Sequence, residues 1–193
     1  DPSKIDALQR MPPPQNLKEL RSLQGHLAFI RRFISNLSGR CQPFNRLMKK
    51  DVPFQWDEAC DNALKSIKMY LSSSPVLGAP ITGKPLILYI AAQERSLGAL
   101  LAQENEDGKE RALYYLSRTL TEAELKYSPI EKMCLALLFS INKLRHYFQA
   151  YQVHLISRAD LIKYVMSKTI LSGRLARWSV VFNQYEIIYI AQN

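Results

Sequence analysis

A chain of 193 residues with 47% hydrophobic content can bury a core and divide into one or two domains, so a disordered tail is excluded. No run approaches 18 apolar residues, and Asp1-Pro2-Ser3-Lys4 lacks the apolar core of a signal peptide; membrane insertion and secretion find no support, and an intracellular setting is expected. The net charge of +9 is unevenly spread, with +7 in residues 1–50, −2 in 51–80 and +4 in 81–193, an excess that a polyanion such as nucleic acid would match.

Residues 1–75 read as helical. Asp1-Pro2 opens a short helix that Pro12-Pro13-Pro14 stops, the prolines stiffening a connector. Asn16 and Glu19 form a capping-box-like start, after which Leu20, Leu23, Leu27, Ile30 and Ile34 recur at steps of three and four and face a core. Arg21, Gln24, Arg31 and Arg32 fall mostly off that stripe, so the helix can pack on one side and offer cations on the other. Phe44, Leu47 and Met48 mark a second short helix before Lys49-Lys50-Asp51. A third starts near Asp57, runs through Ala63, Leu64, Ile67 and Leu71, and breaks at Ser72-Ser73-Ser74-Pro75.

From Pro85 the period changes. Leu86–Ala91, Leu97–Ala102 and Ala112–Leu116 are apolar runs, the last two separated by the turn Asn105-Glu106-Asp107-Gly108, and they predict a three-stranded antiparallel meander. Ser128-Pro129-Ile130-Glu131 combines a capping serine, a first-turn proline and a reciprocal glutamate, predicting a helix to about Gln149. Val153–Ser157 reads as a fourth strand, Ala159–Met166 and Ser172–Phe182 as helices, and Tyr185–Ile190 as a fifth strand. That order describes an α/β fold with a mixed sheet and flanking helices.

Cys41, Cys60 and Cys134 show neither CxxC pairing nor metal-ligand spacing and read as free thiols in apolar surroundings. His26, His146 and His154 are scattered, and no nucleophile-elbow, P-loop or dinucleotide-binding motif occurs. Trp56 and Trp178 read as core anchors, and Tyr114-Tyr115 as one ring in the core and one at the surface.

The run Leu23-Gln24-Gly25-His26-Leu27-Ala28-Phe29-Ile30-Arg31-Arg32-Phe33-Ile34 resembles the thumb of gypsy-type LTR retrotransposon reverse transcriptases. Phe54-Gln55-Trp56, Ala63-Leu64-Lys65 and Ser74-Pro75-Val76-Leu77 look like that family's connecting helices. Tyr114-Tyr115-Leu116-Ser117-Arg118, Tyr127-Ser128 and Lys143-Leu144-Arg145-His146-Tyr147-Phe148 look like its ribonuclease H region, all in collinear order. The resemblance implies a palm tail and Pro-rich connector over 1–15, a helical thumb and connecting segment over 16–80, and a ribonuclease-H-like domain over 81–193 that lacks its final helix. It also implies an exposed apolar patch on the sheet that such a helix would cover. The family's Tyr-x-Asp-Asp turn is absent, so no polymerisation is expected of this chain alone.

The family's nuclease holds two divalent metals on a carboxylate cluster, a task for oxygen ligands. The matching positions here are Ala91 in Tyr89-Ile90-Ala91-Ala92-Gln93, Met133 in Glu131-Lys132-Met133-Cys134-Leu135-Ala136, and Arg158 in Ser157-Arg158-Ala159. All three acids are replaced, and a guanidinium at the third would oppose cation binding by like charge. Glu131 is rotated by roughly 200° from Met133 on the helix and reads as a cap. Glu94 falls in a turn, and Asp160 reads as the cap of the short helix.

The resemblance therefore implies a non-catalytic thumb and connection-like part of a Pol polyprotein, working in a cytoplasmic particle or the nucleus. It would position an RNA/DNA hybrid or template-primer duplex through Arg21, Gln24, Arg31, Arg32, Lys49 and Lys50 and join palm, fingers and downstream domains. No cofactor is expected for this chain, with Mg²⁺ serving only active domains elsewhere in the polyprotein. The competing expectation is an active ribonuclease H that degrades the RNA of hybrids; a third is a host gene that captured retroelement sequence for protein binding.

Overall fold

The computed structural model describes residues 2–73, 77–167 and 172–193. Helices come first: α1 (Pro2–Arg10), α2 (Leu17–Ile30), a 3₁₀ turn (Arg31–Phe33), α3 (Leu37–Arg40), α4 (Gln42–Leu47) and α5 (Glu58–Ser72). The Asn16 side chain accepts the Glu19 N–H at 2.9 Å, while the Glu19 carboxylate accepts from Gln15 N–H at 2.7 Å, one residue before the cap. At α5 the Asp57 carboxylate accepts the Cys60 N–H at 2.9 Å. Leu20, Leu23, Leu27 and Ile30 of α2 share one buried cluster with Cys60, Leu64, Ile67 and Leu71 of α5 and with Leu8, Ile34 and Phe44. Helix α1 thus belongs to the same core as the segment after it, and Gln9 and Met11 tie it to Lys68. The short α3, not anticipated above, is capped by Asn36 in the left-handed region at φ 49°, a conformation asparagine tolerates.

The sheet follows: β1 (Leu86–Ala92), β2 (Ser96–Glu104), β3 (Glu110–Thr119), then α6 (Pro129–Lys143), α7 (Arg145–Ala150), β4 (Val153–Ser157), α8 (Leu161–Met166), α9 (Gly173–Phe182) and β5 (Ile187–Ala191). Strand order is β3-β2-β1-β4-β5, antiparallel within the meander and parallel from β1 through β4 to β5, which is the expected mixed sheet. The strands of the meander are longer than their apolar runs, because backbone pairing carries them past the last buried side chain. The helix predicted to Gln149 breaks at Leu144, which is buried at φ −117° while α7 restarts beyond it. The break at Ser74-Pro75 lies outside the described residues.

Alternation along the strands builds the second core. Leu86, Leu88 and Ile90 of β1 and Val153 and Leu155 of β4 pack against Cys134, Leu137 and Ile141 of α6 and Trp178 and Phe182 of α9. On the other face Tyr89 stands beside Leu100 and Ile156, and Ile156 beside Ile190. Ile188 and Ile190 there are 43% and 40% exposed, in keeping with the expected apolar patch.

A polar seam joins the two cores. The Ser38 N–H donates to the Ser117 hydroxyl at 2.9 Å, and Asn36 Nδ2 to Gln93 Oε1 at 3.2 Å. The phenols of Tyr70 and Tyr115 are hydrogen-bonded, and Arg40 lies 4.7 Å from the centre of the Tyr70 ring. Tyr114 and Tyr115 are therefore both half-buried and both engaged at the seam, in place of the core and surface split expected for them. Ahead of β1, the buried Gln103 amide clamps the connecting segment: Nε2 donates to the carbonyls of Ile81 at 2.9 Å and Lys84 at 3.0 Å, and Oε1 accepts the Ile81 N–H at 2.6 Å.

Candidate nucleic-acid interface

Of the contact residues singled out above, the cations Arg21, Arg31, Lys49 and Lys50 are exposed and the neutral Gln24 is half-buried. Gln24 and Arg31 line a shallow groove with Leu37, Asn45 and Thr119. Asn45 and Thr119 also line a second groove of about 450 Å³ whose cations are Arg46, Lys49 and Arg95. The two run together as one furrow between the helical segment and the end of the sheet. Arg21 and Lys50 line neither groove. Arg46 is ion-paired with Asp57, which holds one cation at the wall while neutralising part of its charge. The Asp57 carboxyl sits at about 2, lowered first by the Cys60 N–H and then by Arg46.

Arg32 is placed differently from its neighbour. It is half-buried in the seam, donates to the Leu113 carbonyl and lies 4.7 Å from the Tyr114 ring centre, so it is engaged inside the chain. Within a 3₁₀ turn successive side chains diverge by about 120°, which separates an outward Arg31 from an inward Arg32. Sequence periodicity missed Arg46 and Arg95. Arg95 sits in the β1–β2 turn, whose approach to α4 follows from tertiary packing and leaves no local signal.

The three positions matched to the nuclease acids do not meet in one cavity. Met133, half-buried on the first turns of α6, and Arg158, exposed after β4, line a cleft of about 500 Å³ together with Ala92, Glu94, Ile130 and Lys132. Ala91 opens on the opposite face, beside Asn36, Tyr89 and Tyr115. Strand alternation is the reason: Ala92 follows Ile90 toward α6, and Ala91 follows Tyr89 away from it.

Two of the nearby carboxylates, Glu131 and Asp160, have other duties. Glu131 accepts from the Ser128 hydroxyl at 3.0 Å and is ion-paired with Arg174, whose guanidinium lies 4.0 Å from the Tyr127 ring centre. Asp160 caps α8 by accepting the Lys163 N–H at 3.0 Å. The Glu94 backbone carbonyl accepts from Lys132 Nζ at 3.2 Å. Among the described residues no group of three or more His, Cys, Asp or Glu is arranged to hold a metal ion. Magnesium requires several oxygen ligands, and a cleft whose one carboxylate, Glu94, stands among a thioether, two cations and aliphatic carbon does not fit it. The three cysteines are free and buried as expected, and burial pushes the Cys41 and Cys134 thiols up to about 12. Among the described residues no helix is long and apolar enough to cross a membrane.

Residues 82–185 match the RNase H-like domain found in reverse transcriptase, and the chain belongs to that family. It is also related to the Pol polyproteins of transposons. It is 30% identical over 203 residues to the retrovirus-related Pol polyprotein from transposon opus of Drosophila melanogaster, and 32% identical over 186 residues to the transposon Tf2-3 polyprotein of Schizosaccharomyces pombe. These alignments take in 98% and 94% of the chain but only 20% and 14% of the relatives' lengths. Foamy viral protease-reverse transcriptase shares the fold over the whole chain. The TM-score is 0.81 at 20% identity to the form in complex with dsDNA, and 0.78 at 22% identity to the form in complex with an RNA/DNA hybrid. The chain covers 41% and 27% of those two chains.

Proposed function

We propose that this chain is the non-catalytic thumb and connection-like part of a gypsy-type LTR retrotransposon reverse transcriptase. In that role it holds the RNA/DNA template-primer duplex and links palm and fingers to downstream domains, in a cytoplasmic particle or the nucleus. The observation that carries the reading is the furrow, in which Arg31 and Lys49 from the helical segment and Arg95 from the sheet unit converge on one side of the seam. Cations on a concave track engage phosphates without choosing a base sequence. The foamy viral enzymes that share this fold have been seen with duplexes of the same class, which supports the choice of ligand. The donor sets at Met133 and Arg158 support a role without metal chemistry.

The test is binding of a labelled RNA/DNA hybrid to the full chain across a salt series. Affinity is expected to fall steeply with salt, and Arg31→Glu with Lys49→Glu is expected to weaken binding by about tenfold and flatten the log–log slope by about 2. An unchanged slope sinks the furrow assignment. RNA cleavage that needs Mg²⁺ or Mn²⁺ and stops on chelation would establish the active ribonuclease H instead.

A further inference from the structure

The cleft between the β1–β2 turn, the start of α6 and the loop after β4 carries two cations, Lys132 and Arg158, and one carboxylate side chain, Glu94. Arg158 is exposed and has no hydrogen-bond or ion-pair partner among the described residues. Lys132 is fixed across the cleft by the Glu94 carbonyl. Ile130 and Met133 supply the apolar part of the wall, and the positive end of the α6 dipole lies on the same side.

The cleft also adjoins the furrow. The β1–β2 turn divides them, with Gln93 and Glu94 lining the cleft and Arg95 lining the furrow. A cationic track thus runs from Arg31 past Lys49 and Arg95, over one tight turn, to Lys132 and Arg158.

We infer that the cleft holding Lys132 and Arg158 is a second phosphodiester site, which grips the backbone of the duplex leaving the furrow and needs no divalent ion. The inference rests on the duplex-binding reading above and extends it to a specified end of the ligand. One held and one free side-chain cation supply the positive charge that a phosphate requires, and they repel the metal ions that would otherwise supply it. The aliphatic wall suits the carbon face of a sugar, and the single carboxylate of the cleft, Glu94, is outnumbered by the two cations.

The experiment uses the full chain and an RNA/DNA hybrid in EDTA, read by anisotropy across a salt series and by backbone footprinting. Wild-type binding is expected in EDTA, with no gain in affinity on adding Mg²⁺, which competes for the same phosphates. Arg158→Glu combined with Lys132→Gln is expected to flatten the log–log salt slope by about 1.8, as for two lost phosphate contacts, and to shorten the footprint from one end only. Arg158→Glu alone, at an exposed side chain that leaves folding intact, is expected to give about half the change in slope, and Arg158→Lys to restore it. If the two variants that carry Arg158→Glu keep the wild-type slope and footprint while Arg31→Glu with Lys49→Glu weakens binding, the cleft site is overturned and the furrow stands. A requirement for Mg²⁺ likewise overturns the cleft site. Failure of the wild-type chain to bind the hybrid at all overturns the furrow reading and this inference with it.

Discussion

The Arg32 guanidinium donates to the Leu113 carbonyl at 3.0 Å, so a cation of the helical segment closes the bulged edge of β3. Arg32→Ala removes that charge-assisted bond and the contact with the Tyr114 ring, and is expected to cost about 1.5–3 kcal/mol of stability in urea unfolding. Arg31→Ala, one residue away and exposed, is expected to stay within about 0.5 kcal/mol of wild type while weakening duplex binding. Equal stability losses for the two variants would contradict their opposite placement.

Glu124 accepts from Arg118 at 2.7 and 2.9 Å and from the Thr121 N–H at 2.8 Å, and these partners hold its carboxyl at about 2, below its usual 4.5. A depressed folded value means that the ionised form stabilises the fold: the contribution is whole above pH 4.5 and is lost as pH falls toward 2. Glu124→Gln is expected to cost about 1.5–3 kcal/mol near neutral pH. Unfolding curves of the two proteins should then converge on acidification through that window, and a gap that persists at its acid end would refute the pairing.

Burial that pushes Cys41 and Cys134 to about 12 leaves almost no thiolate near pH 8. Native protein is expected to resist a thiol reagent at these two positions, and denaturant is expected to release all three cysteines. Rapid labelling of Cys134 without denaturant would show that the sheet does not cover that face of α6.

Thermal melts in Mg²⁺ and in EDTA are expected to superimpose, since a ligand that binds only the folded state would raise the midpoint. An upward shift that saturates with Mg²⁺ would reveal an oxygen-rich site that the cleft at Met133 and Arg158 does not provide.

What sequence reading reaches is what short-range chemistry decides. Asn16, Asp57, Ser128 and Asp160 cap helices because a short polar side chain bonds an amide three residues on. The turn at Asn105 closes as expected, its side chain accepting from Asp107 and Lys109 while Gly108 takes φ +75°. Long-range partners are a different matter. Ile141, Leu144 and Phe148 are spaced as on one helix, and only packing breaks it at Leu144. Arg174 and Glu131 are 43 positions apart, and neither carries a local mark of the other. At the candidate site the same division holds. Arg31 and Arg32 are adjacent basic residues that no periodicity separates, and the role of Arg95 depends on a turn brought beside α4 by the whole fold.

The Gln103 clamp turns the stretch before β1 from a tether into a splint. Bound at Ile81 and Lys84, and with the Gly78 N–H bonded to Ala112, that stretch is held against the sheet at both ends. A protease that nicked it would leave two fragments still joined through the seam, migrating as one particle under native conditions and parting only in denaturant.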